Sequence, residues 1–260
     1  MTQKILVERK KYVTTIIINR PEVRNALDRE ATAALKLAIT QFEQDEQARV
    51  AVLFGAGGAF CAGADLKELA AGVDYDPWAG SASGPLHAPA TKPVIAAISG
   101  HACAGGLGVA LWCDLRIADT TAAFAVLSRR WGVPMSDGTT VRLPRLIGMS
   151  RALDMLLTAR SVSATEAEQW GLVSRVVPSG LVRAEAEAMA ALLAEFPQVA
   201  MLSDRKSAYL QASSSEQDAI EIEMQCAAAA RELEAQAGAR RFQAGQGRHG
   251  KIVAAHKDEE

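Results

Sequence analysis

Short aliphatic, β-branched runs alternate with longer amphipathic stretches through the first half of the chain. Ile5–Val7 and Val13–Ile18 read as strands, and Arg20-Pro21 ends the second because proline has no N–H for a ladder. From Ala31, apolar positions recur at helical spacing through Leu35, Ile39 and Phe42. This predicts a helix capped by Asp28 and running to about Gln47. Val50–Phe54, Val94–Ile98 and Leu115–Ala118 are apolar enough to be buried strands. Strands alternating with helices indicate an α/β architecture. Between Gly72 and Pro89 the chain is rich in Gly, Ser, Ala and Pro, predicting a loop with one helical turn at Pro77–Gly80. From Pro134 the pattern becomes mostly helical. One helix follows Asp137 toward Leu146, and another spans Ser161–Trp170, with Ser163 and Glu166 spaced as a capping box. Leu181–Glu195, Gln198–Gln211 and Ser215–Gln236 are longer helices, and Pro197 separates the first two. A boundary near residue 195 divides the chain into a core, 1–195, and a helical region, 196–260.

Composition narrows the function. About half of the 260 residues are apolar, enough for one substantial core plus an appendage. The net charge is −2 with both signs interspersed, so no basic stripe points to nucleic acid. The Lys257–Glu260 cluster reads as a solvated end. No run of about 18 uncharged apolar residues suggests a membrane span. Met1–Lys11 mixes charges with Ile5-Leu6-Val7, unlike a signal peptide, so a cytoplasmic protein is expected. Cys61, Cys103, Cys113 and Cys226 form no close metal-type pair and read as packing residues, with Cys61 and Cys103 flanking the site proposed below. The four histidines are scattered, so no zinc cluster is legible.

Two small-residue turns carry the chemistry: Ala59-Phe60-Cys61-Ala62-Gly63-Ala64-Asp65-Leu66 and Gly100-His101-Ala102-Cys103-Ala104-Gly105-Gly106-Leu107-Gly108. Each follows a strand-like run and leads into a helix-like segment. Small residues admit a ligand close to the backbone, and a helix start leaves N–H donors unpaired. Two such turns can aim two N–H groups at one oxygen, as an oxyanion or enolate requires. A Rossmann fingerprint is absent, because Gly106-Leu107-Gly108 is not followed by glycine three residues on; no phosphate-binding loop with its lysine is present either.

With these turns, the blocks Asn19-Arg20-Pro21 through Asn25-Ala26-Leu27, Lys92-Pro93-Val94 through Gly108, and Ala164 through Val177 lie in one order and spacing. In this the chain resembles the crotonase, or enoyl-CoA hydratase/isomerase, superfamily over nearly its whole length. The resemblance implies a ββα spiral core and a C-terminal helical region that oligomerises into trimers, often doubled to hexamers. It implies an acyl-CoA substrate, with CoA part of that substrate and no separate cofactor. It places the oxyanion-hole N–H groups on Ala62 and Gly105, and CoA along Ala64, Asp65 and Leu66, with Arg24 near the phosphates. Ala26, Gly106, Ser128, Trp131 and Met135 complete the implied substrate-binding set, Trp131 being either a pocket wall or core. Trp78 and His87 lie in the region that shapes the acyl pocket, and Arg248 is a candidate phosphate contact.

The acid–base positions depart from the pattern. Hydratases of the family carry two glutamates; here those positions are Gly108 and Ser128, and neither exchanges a proton near neutral pH. Asp137 is the nearby acid. It is either the proton-transfer group or simply the N-cap of the next helix, and a cap beside a helix dipole would stay ionised. Arg129 and Arg130 are expected to pair with Asp137, a substrate carboxylate or a neighbouring subunit. The expected function is double-bond isomerisation of an acyl-CoA thioester with Asp137 moving the proton. The alternatives are hydration by a non-standard site, hydrolysis or dehalogenation, and a catalytically silent acyl-CoA-binding protein. A scaffold role in a larger complex is a third class that nothing in the sequence requires.

Overall fold

The computed structural model describes residues 3–73, 78–82 and 84–247. The chain divides into two compact units, Met1–Ala191 and Leu192–Glu260, so the boundary falls within a helix a few residues before 195.

The first unit is built on two sheets. A hairpin of β1 (Ile5–Lys10) and β2 (Val13–Ile18) turns at Lys11, whose φ is 51°. β2 then pairs in parallel with β3 (Val50–Gly55), β3 with β4 (Val94–Ile98), β4 with β6 (Leu115–Asp119), and β6 with β9 (Arg175–Val177). Every residue of β2 and β4 is buried, as strands covered on both faces require. The second sheet joins β5 (His101–Cys103), β7 (Ala123–Ala125) and β8 (Val162–Ser163).

The helices follow the expected physics. α1 (Arg29–Gln44) starts where Asp28 accepts the Ala31 N–H at 2.8 Å, and it buries Ala31, Leu35, Ala38, Ile39 and Phe42. α2 (Leu66–Ala70) is capped by Asp65. α3 (Gly105–Trp112) is apolar nearly all round and is buried from Gly106 onward. α4 (Thr139–Ile147) and α5 (Met149–Thr158) meet at Gly148. α6 (Ala164–Gln169) shows half of the expected capping box. Ser163 accepts the Glu166 N–H, but the Glu166 carboxylate pairs with Arg160 at 2.7 Å instead of reaching back. α7 (Val182–Glu195) carries the boundary between the units.

In the second unit, α8 (Gln198–Leu210) packs against α9 (Glu216–Ala230). The expected helix ending at Gln236 runs further, through a π segment at Arg231–Ala235 into α10 (Gln236–Gln243). Glu234, within that π segment, accepts the Val199 and Ala200 N–H groups at 3.1 and 2.8 Å. It thereby caps α8, where Pro197 offers no side-chain cap. Among the described residues, no helix is long and apolar enough to cross a membrane.

Candidate active site

The two small-residue turns lie against each other. Cys61 bridges to Ala102 of β5, with the Cys61 N–H on the His101 carbonyl at 2.9 Å and the Cys103 N–H on the Cys61 carbonyl at 3.0 Å. On its other side the first turn bridges Leu27 to Ala64. A methyl group placed on Gly63 would lie 2.8 Å from the Gly105 nitrogen, and one on Gly106 only 2.0 Å from the Cys61 carbonyl oxygen. Glycine at both positions is what lets the turns touch.

The donors of the first turn can be assigned one by one. The Cys61 N–H goes to His101, the Gly63 N–H to Cys61 Sγ at 3.4 Å, and the Asp65 N–H to Leu27 at 2.9 Å. The Ala62 N–H donates to the Arg24 carbonyl at 3.0 Å. This corrects the expectation for Ala62, because a donor held by a backbone carbonyl is not available to a substrate oxygen. The Ala64 N–H has no acceptor among the described residues. On the second turn, the Gly105 N–H is likewise unengaged at the start of α3. The chain reaches Gly105 through Ala104, whose φ of 48° and ψ of −125° are strained for a residue with a Cβ.

Asp137 lies on the turn before α4 and is 2% exposed. The N-cap position belongs to Gly138, at φ 86°, but Asp137 Oδ1 still accepts the Thr139 N–H at 2.9 Å. The rest of the carboxyl lies over α3: a methyl group on Gly108 would stand 2.4 Å from Asp137 Cγ and 2.7 Å from Oδ2. Burial raises the Asp137 pKa, opposed by the Thr139 N–H bond and by the charge of Arg142. Desolvation outweighs the helix-start donors in setting that direction. Cys61, completely buried, is pushed up to about 12 by desolvation, with the Asp137 charge adding to the shift. Among the described residues, no group of His, Cys, Asp and Glu is arranged to hold a metal ion.

Arg142 was not anticipated. It donates to the Asp137 carbonyl at 3.0 Å and to the Leu86 carbonyl at 2.7 Å, tying the Asp137 turn to the loop before β4. The Ala79 N–H adds a bond to the Ser136 carbonyl at 3.2 Å. Arg130 instead donates to the Ala159 carbonyl at 3.0 Å, so Arg142 is the cation that serves the Asp137 turn. Trp78 is buried with its ring edge against Gly105, where a methyl group would be 2.6 Å from Cζ3. His87 is exposed and its Nδ1 lies 3.1 Å from the Ala79 carbonyl.

The remaining expected residues are placed as follows. Ser128 is buried and donates to Met135 Sδ at 3.2 Å. Trp131 is 70% exposed, so it does not fill the core. Arg24 is exposed in the left-handed region, and its charge reaches Cys103. Leu66 is exposed at the start of α2, and Ala26 is buried. Asp65 pairs with Arg20 at 3.2 Å, and Arg20 also holds Asp28 at 2.9 Å. Asn25, which the sequence marked only as part of a motif, is fully buried and bonds Arg20, Ala56 and Ala59. The Pro77 end of the expected helical turn and Arg248 lie outside the described residues.

Comparison with known proteins shows the family and the fold. A family model described as enoyl-CoA hydratase/isomerase matches residues 8–245. An enoyl-CoA hydratase of Mycobacterium tuberculosis is 38% identical over 182 residues, 67% of this chain and 68% of the relative. The (E)-benzylidenesuccinyl-CoA hydratase of Thauera aromatica is 41% identical over 182 residues, 68% of this chain and 71% of the relative. The crystal structure of an enoyl-CoA hydratase from Mycobacterium tuberculosis superposes with a TM-score of 0.87 at 30% identity, covering 93% of this chain and 96% of that one.

Proposed function

The chain belongs to the enoyl-CoA hydratase/isomerase family and is an acyl-CoA enzyme, and we propose that it moves a proton along an enoyl thioester through one carboxyl group, Asp137. One observation carries this reading. Two unengaged N–H groups, on Ala64 and Gly105, sit on abutting turns, and the Asp137 carboxyl stands over Gly108, on the Gly105 face of α3.

The steps follow from that placement. The thioester oxygen accepts both N–H groups, which hold the negative charge of an enolate in a low-dielectric site. The start of α3 adds its dipole. Asp137 in its ionised form takes a proton from the α carbon of a 3-enoyl thioester. The resulting dienolate regains that proton at the γ carbon, leaving the conjugated 2-enoyl thioester. One group removes and returns the proton, so no second acid is needed at position 108 or 128. The burial that raises Asp137 brings its pKa nearer to working pH, which suits a group that must do both. Acyl-CoA is substrate rather than cofactor in this reading, and the protomers assemble as a homotrimer or hexamer.

Hydration is the second reading, favoured by the relatives, which are named as hydratases. Asp137 would then activate a water for addition to the double bond. A turnover panel with 3-hexenoyl-CoA and crotonyl-CoA, run on the wild type and Asp137→Asn, decides between them. Isomerisation of the first substrate, lost in the variant while butanoyl-CoA still binds, supports the proton shuttle. 3-Hexenoyl-CoA isomerisation or crotonyl-CoA hydration that survives in Asp137→Asn would sink the role of Asp137 in that reaction.

A further inference from the structure

We infer that Gly108 is a positioning residue: its missing side chain leaves the space in which the Asp137 carboxyl is held against α3. The inference rests on the reading of Asp137 as the proton-transfer group. Three observations carry it. A Cβ at 108 would meet Asp137 Cγ at 2.4 Å, Oδ2 at 2.7 Å and Cβ at 2.8 Å, so the two side chains exclude each other. Gly108 lies inside α3 with no positive φ, so the backbone conformation does not call for glycine. Alanine would favour that helix more than glycine does, which leaves side-chain space as the physical reason for glycine there. The third observation is how tightly Asp137 is fixed on its own side. Thr139 holds Oδ1, Arg142 and Ala79 tie down the neighbouring carbonyls, and Asp137 is buried. With those restraints the carboxyl cannot swing aside to admit a methyl group without leaving the position it now holds.

Position 108 follows Gly105 by three residues on the same helix face. A thioester oxygen at the Gly105 N–H therefore sets its α and β carbons near the face that the Asp137 carboxyl covers. The chain thus supplies its carboxyl across the gap from the α4 side, and an acid at 108 and Asp137 in its present place are mutually exclusive.

The test is a double-mutant cycle of Gly108→Ala and Asp137→Gly in the full-length protein. It uses 3-hexenoyl-CoA or crotonyl-CoA, whichever turns over, as the kinetic probe and butanoyl-CoA as the binding probe. Gly108→Ala should lower kcat by about 10²-fold, the scale of a misplacement near 1 Å, with the butanoyl-CoA Kd within threefold of wild type. In the Asp137→Gly background the same alanine should change neither the residual rate nor the Kd, and it should raise the melting temperature that Gly108→Ala alone lowers. If Gly108→Ala does not fold, the double variant must recover folding; a pair as unfolded as the single variant overturns the proposal. A Gly108→Ala kcat within threefold of wild type, with Asp137→Asn inactive, overturns the proposal and leaves the role of Asp137 intact. An active Asp137→Asn removes that role and this inference with it.

Discussion

Asn25 holds the first turn together, and Asn25→Ala should be among the most damaging single changes away from the reacting atoms. Its side chain is fully buried. Oδ1 accepts the Arg20 N–H at 2.8 Å, while Nδ2 donates to the Ala56 and Ala59 carbonyls at 2.8 and 2.6 Å. Truncation leaves three backbone groups without partners, at about 1 kcal/mol each on the low side. Asn25 also sits at φ 59°, which alanine tolerates worse than asparagine by about 1 kcal/mol. The expected loss is about 4 kcal/mol, a large share of the 5–15 kcal/mol typical of a folded protein. Asn25→Gly should lose about 1 kcal/mol less, because glycine accepts the left-handed backbone while losing the same bonds. Urea denaturation of the three proteins gives the midpoints, read at unchanged m. A loss below about 1.5 kcal/mol for alanine would refute the bond-by-bond argument. A glycine variant no more stable than alanine would refute the conformational part. Butanoyl-CoA binding should weaken in both, because the neighbouring Arg24 carbonyl anchors the Ala62 N–H.

Four further outcomes follow from the same geometry. Because burial raises the Asp137 pKa above its ordinary 3.8, the native state holds that proton more tightly than the unfolded chain. Stability therefore falls as pH rises from about 4 through the native pKa, and Asp137→Asn, melted across pH 4–8, should lose that slope and gain on the wild type toward neutral pH. Trp78→Ala opens space against Gly105 and should raise the ratio of kcat/KM for decenoyl- over hexenoyl-CoA by about tenfold; equal changes for both would remove Trp78 as a pocket wall. Burial pushes Cys61 up to about 12 and Cys103 to about 11, so iodoacetamide at pH 8 should label the half-exposed Cys226 first, and native labelling of Cys61 would contradict the packing. Glu234→Ala should lower stability by about 1 kcal/mol in thermal melts, the usual effect of losing a helix N-cap.

What the sequence made legible was local. β2, β3 and β4 follow from short β-branched and apolar runs, and α1 from an apolar stripe with an aspartate cap, since such signals need only neighbouring residues. The three-residue strands β5 and β7 carry no periodicity, and small residues such as Ala102 and Ala123 become strand through partners distant in the chain. The continuation past Gln236 was hidden for a similar reason: Glu234 looks like a surface acid until α8 presents its free N–H groups.

The same division runs through the site. Both small-residue turns were visible, but which N–H remained free was not. Ala62 and Ala64 are chemically alike in the sequence, and only the Arg24 carbonyl, brought in by a different segment, takes one of them. The acid–base position is the sharper case. Read along the chain, Gly108 is a missing glutamate, and Asp137 is either a proton-transfer group or only a helix cap. In space each explains the other: the carboxyl fills the room the glycine leaves, and the burial that follows moves its pKa toward the range of a proton-transfer group. A side chain lost at one position of an active site therefore says little about lost chemistry until the volume it vacated has been searched for another acid.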